Sequence, residues 1–107
     1  MANPWAGEVA LVIGGERHVM RLTLGALAEL EAALEQGSLV DLVARFEEGA
    51  FSSRDVLALI VAGLRGGGWR GSAADLLSAE IEGGPLAAAR AAAKLLARAF
   101  ALPEAGG

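Results

Sequence analysis

With 107 residues and a formal charge of −4, the chain is sized for a single domain around one core. Its acidic balance argues against a general nucleic-acid binder, whose affinity would rest on cationic contacts to phosphate. The absence of cysteine removes disulfides, a thiolate nucleophile and cysteine metal ligands, and is compatible with a reducing cytoplasm.

The opening "MANPWAGE" lacks the positive charge and apolar run of a signal peptide. The next stretch, "EVALVI", puts Val9, Leu11 and Ile13 on one face of an extended segment, and "RHVMRL" repeats the alternation after Gly14 and Gly15. Those glycines suit the positive φ of a tight hairpin turn, so a β-hairpin is expected over about 8–22. Two strands alone are marginally stable, so the hairpin has to lie against the helical remainder of the chain.

Everything after it reads as helix. Thr23 is placed to cap a helix over about 24–36, with Leu24, Leu27, Leu30 and Leu34 as its apolar stripe. Ser38 with Asp41, Ser52 with Asp55 and Ser72 with Asp75 repeat one spacing, a capping-box signal for three further helices. The middle one, "VLALIVAGL", is apolar around most of its circumference and is expected to be the central buried helix. It is also far short of the roughly 20 residues that span a bilayer. A fifth helix starts near Pro85 and runs to about residue 102. Its stripe of Leu86, Ala89, Ala93, Leu96 and Phe100 is expected to face the core, leaving Ala88, Ala91, Leu95, Ala99 and Leu102 on the far side and a basic line of Arg90, Lys94 and Arg98. Two accounts of the second apolar face stay open: alanine as a good helix former, or a docking surface for another subunit or a client helix. The expected architecture is therefore α+β, mostly α: an N-terminal hairpin and about five short helices packed as one small domain over 1–102, with 103–107 as a flexible tail.

A search for chemistry finds little. His18 is the only histidine and sits on a strand, with no set of N, S or O ligands at metal-site spacing. Ser38, Ser52 and Ser72 are accounted for as caps, without a G-x-S-x-G elbow or a lysine partner. Neighbouring carboxylates such as Glu47 and Glu48 point in different directions on a helix. No enzyme and no cofactor is expected. The most chemical-looking stretch, "LRGGGWRG" at 64–71, follows a helix and has Arg70 and Gly71 where a phosphate loop needs lysine and a hydroxyl. It reads as a helix stop with Trp69 folded over the core. The competing reading gives Arg65, Trp69 and Arg70 a binding role.

The segments "NPWAGEVALVIGGERHVMRLTLGALAELEAAL" and "RDVLALIVAGLRGGG" resemble the small gene transfer agent protein of alphaproteobacteria, grouped with phage tail assembly chaperones. The resemblance runs from about Asn3 to Leu102 and rests on shape-bearing residues. It implies a non-catalytic protein of a phage-like gene cluster that works in the bacterial cytoplasm during particle assembly. Its implied partners are the tape measure protein and the major tail protein; homo-oligomerisation stays open, and no membrane or nucleic acid is expected. The alternative within the family is a structural tail tube or connector component, and outside it a small nucleic-acid-binding regulator. Arg65, Trp69, Arg70, Arg90, Lys94, Leu95, Arg98 and Leu102 are the candidate partner-binding residues.

Overall fold

The computed structural model describes residues 7–34 and 37–100. Its elements are β1 (Val9–Ile13), β2 (Glu16–Met20), α1 (Leu24–Ala33), α2 (Leu39–Glu48), α3 (Ser53–Gly66), α4 (Ala73–Leu77) and α5 (Gly84–Ala99). The order is the expected one, a hairpin followed by five helices. The expected tail at 103–107, and with it Leu102, lies outside the described residues.

The hairpin closes through Gly14 and Gly15, with φ of 59° and 84°, a two-residue turn whose twist matches the strands it joins. Pairing runs from Ile13↔Glu16 to Val9↔Met20. One face of the sheet is buried, carrying Val9, Leu11, Ile13 and Met20. Residues 80–82 extend the sheet briefly: Glu82 N–H donates to the Val12 carbonyl at 3.0 Å and Gly14 N–H to the Glu80 carbonyl at 2.7 Å.

The helix starts follow the sequence signals. Thr23 Oγ1 accepts from Ala26 N–H at 3.1 Å. Ser38 N–H donates to Asp41 Oδ2 at 2.9 Å, Ser52 N–H to Asp55 Oδ2 at 2.9 Å and Ser72 N–H to Asp75 Oδ2 at 2.8 Å. Each carboxylate satisfies a backbone donor that the helix leaves without an internal partner.

α3 is the centre of the domain, packed against α1, α4, α5 and β2. Leu59, Ile60, Ala62, Gly63 and Leu64 are buried along it, and Met20, Leu30, Leu42 and Leu95 close around them from the neighbouring elements. The close approach has a visible cause at Gly63, where an added Cβ would stand 2.7 Å from Leu95 Cδ1 and 3.1 Å from Met20 Cβ.

Two expectations about helix faces are corrected. Leu24 is 85% exposed, whereas α1 buries Leu30 of the expected stripe together with Ala26. On α5 the buried face is Ala88, Ala91, Ala92, Leu95 and Leu96, whereas Leu86 and Ala93 are exposed. Both faces of α5 are apolar enough to serve, so periodicity alone does not choose. The gap above Gly63 does, because it admits Leu95.

Candidate functional site

The stretch 64–71 packs closely against the rest of the domain. A Cβ on Gly66 would lie 1.9 Å from the Arg21 carbonyl oxygen and one on Gly67 2.1 Å from that of Val19. Glycine is needed here because the end of α3 presses against the backbone leaving β2. Trp69 N–H donates to the Leu64 carbonyl at 2.9 Å, its half-buried ring packs on the core, and the ring occupies the space that a side chain on Gly71 would need. Arg65 is tied down at both ends of its guanidinium: Nε donates to Glu29 Oε1 at 2.8 Å and Nη1 to the Gly71 carbonyl at 3.1 Å. Arg70 is exposed. Of the three candidate residues in this loop, two have structural partners.

On α5, Arg90 and Lys94 are exposed and line a cleft of about 290 Å³ beside β1. Arg98, one further turn on, donates from Nη1 to the Glu8 carbonyl. Leu95, expected on the partner face, is 1% exposed and belongs to the core. The structure thus brings Arg90, Lys94 and Arg98 together along one edge and separates them from Arg65, Trp69 and Arg70.

Two features lie beyond sequence reasoning. One is an apolar groove of about 810 Å³ between the start of α3, α4 and the start of α5. Leu77, 75% exposed, and Leu86, 59% exposed, stand at it. Leu77 is on a helix too short for periodicity to assign a face, and the spacing of Leu86 places it with the core stripe. The other is an ion pair joining α2 to α3. Arg45 Nε and Nη2 donate to Asp55 Oδ2 and Oδ1 at 3.0 and 2.9 Å, a bidentate arrangement. These bonds hold the Asp55 carboxyl below its ordinary range, against the opposing effect of burial, with Ser52 N–H adding to the lowering. The same contact raises the Arg45 guanidinium. No local sequence signal links residues 45 and 55; only the packing of α2 on α3 does.

The carboxylates of Asp41, Asp55 and Asp75 are all engaged in helix caps, and His18 lies 3.9 Å from Glu16. Among the described residues, no group of three or more His, Cys, Asp or Glu side chains is arranged to hold a metal ion, and no helix is long and apolar enough to cross a membrane.

The hairpin and five helices thus carry an apolar groove and a separate basic edge. Comparison with known families gives the class: a phage tail family matches over nearly the whole chain. The chain belongs to the family described as "Phage tail tube protein, GTA-gp10", whose model matches residues 6–102; GTA denotes a gene transfer agent. No curated protein and no solved structure matches alongside it. The family description is of a tail tube protein, not of an assembly chaperone.

Proposed function

We propose that this protein is a non-catalytic structural component of the tail of a gene transfer agent particle, a tube or connector subunit that acts through protein contacts. The observation that carries the reading is the match to a tail tube family over residues 6–102. That span takes in the hairpin and all five helices, so the whole domain is at stake and not an embedded motif. Assembly would take place in the bacterial cytoplasm. The exposed leucines at the α3, α4 and α5 groove and the basic line on α5 are the surfaces such a subunit would use, the first for burial and the second for orientation.

A second reading is favoured by one specific observation. The described residues contain a single two-stranded sheet, with five residues in each strand, which is little β-structure with which to build a tube wall. On that reading the protein is a transient chaperone that covers the amphipathic helix of the tape measure protein until the tail forms, using the same groove.

Deleting the gene and viewing the particles by electron microscopy tests the shared core of both readings. Filled heads without tails are expected. Tailed particles with undiminished DNA transfer would refute both. Co-expression with the tape measure protein of the same cluster separates them: stable co-purification that disappears from finished particles supports the chaperone.

A further inference from the structure

We propose that the outer edge of β1 is a strand-addition site for an extended, acidic segment of a partner protein. The register next to the two-residue turn is Ile13↔Glu16, so the odd-numbered residues of β1 bond to β2 and the even-numbered ones direct N–H and C=O to the opposite edge. Three contacts on that edge agree. Arg98 covers the Glu8 carbonyl, Glu82 N–H covers the Val12 carbonyl, and Gly14 N–H finds the Glu80 carbonyl. Between them the Ala10 N–H, the Ala10 carbonyl and the Val12 N–H have no backbone partner among the described residues. The segment 80–82 begins to act as a third strand and then leaves at Gly83 and Gly84 for α5, which opens the window.

The window faces the cleft of about 290 Å³ in which Ala10, Val12, Glu82, Ala87, Arg90 and Lys94 meet. An unpaired edge recruits backbone from another chain, and here the charge says which kind. Arg90 and Lys94 form no ion pair among the described residues, and Glu82 is the single carboxylate in the lining. On a protein of net charge −4 this is a local cationic strip beside free backbone donors, complementary to an acidic strand. A second copy of the chain fits poorly: two-fold pairing of β1 with β1 would bring two Arg90 and Lys94 sets to one seam. The inference rests on this geometry and holds for either reading of the tail role.

The probe is a short acetylated and amidated peptide alternating valine with aspartate, with a valine and lysine peptide as control. The readout is amide hydrogen exchange of the full chain by NMR. The aspartate peptide is expected to slow Ala10 and Val12 exchange by roughly tenfold or more at saturation, the lysine peptide to leave it unchanged, and added salt to weaken the effect. Ala10→Pro removes the outward N–H while keeping the ladder to β2, a position where an edge proline is tolerated, and is expected to abolish the protection. The double variant R90E with K94E, both on the exposed face of α5, is expected to abolish it with an unchanged melting curve, and decides the matter if Ala10→Pro does not fold. The proposal is overturned by absence of protection with the aspartate peptide, by protection that survives charge reversal, by shifts confined to Leu77 and Leu86, or by protection that grows with the protein's own concentration.

Discussion

Replacing Asp55 by alanine is expected to be far more damaging than replacing Asp41, although both occupy the same place in a Ser-x-x-Asp capping box. Asp41 caps an exposed helix start, through one backbone donor at 2.9 Å, and its loss is a lost cap of about 1 kcal/mol. Asp55 makes the equivalent bond at 2.9 Å and in addition receives two guanidinium bonds at 3.0 and 2.9 Å. Its side chain is 11% exposed and that of Arg45 28%, so the pair is partly shielded and Arg45 would be left without its partner. Adding about 2 kcal/mol for the pair to about 1 for the cap gives a loss of about 3 kcal/mol. For a domain of this size that is a fall in Tm of roughly 15 °C, against roughly 5 °C for Asp41→Ala. Circular dichroism melts at neutral pH measure both. The pH dependence comes from the lowered Asp55 carboxyl. Its folded pKa lies below the unfolded one, so the unfolded chain binds the extra proton in between and stability rises with pH across that interval. The stabilisation is complete above about pH 5 and fades as pH falls below about 4, toward the depressed folded value. The gap between wild type and Asp55→Ala must therefore close in acid. Equal losses for the two variants, or a gap that persists at low pH, would show that the Arg45–Asp55 pair adds nothing beyond the cap.

Gly66→Ala is expected to cost about 2 kcal/mol or more, because the Arg21 carbonyl 1.9 Å from the new Cβ is backbone and cannot rotate away. Gly25→Ala, which meets nothing nearer than Thr23 Oγ1 at 4.0 Å, is expected to stabilise α1 by up to about 1 kcal/mol, with urea titrations measuring both glycine variants. Trp69→Ala removes a half-buried ring packed on the core, and a loss of about 2 kcal/mol is expected in thermal melts. The exposed pair Leu77→Ser and Leu86→Ser is expected to leave Tm within a few degrees while lowering incorporation of the protein into tails, scored by immunoblot of purified particles.

The sequence is most legible where local chemistry decides. Gly14 with Gly15 announces the hairpin, and the three serine and aspartate boxes announce helix starts, because a turn or a cap is settled within four residues. The buried character of α3 is equally plain from its apolar circumference. What stays hidden depends on which surfaces meet. Leu95 and Leu86 are chemically alike and lie on an alanine-rich helix, and the choice between them is made by a glycine on another helix, Gly63. Leu24 fits the apolar spacing of α1 yet stands at the helix start, outside the contact with α3. The Arg45 and Asp55 pair spans two elements and has no periodic signature. Of the candidate site, the basic residues of α5 are readable as a line, but their position beside the outer edge of β1 is not, since it depends on where 80–82 leaves the sheet.

A tube or connector subunit, as proposed, stays in the finished tail. Quantitative mass spectrometry of purified gene transfer agent particles, with the protein measured against the major tail and capsid proteins, tests it most directly. The protein is expected in a fixed number of copies per particle and is expected to be lost together with the tail. Tailed, transfer-competent particles that lack it, while the assembling cells contain it, would rule out a structural subunit and leave the chaperone in its place.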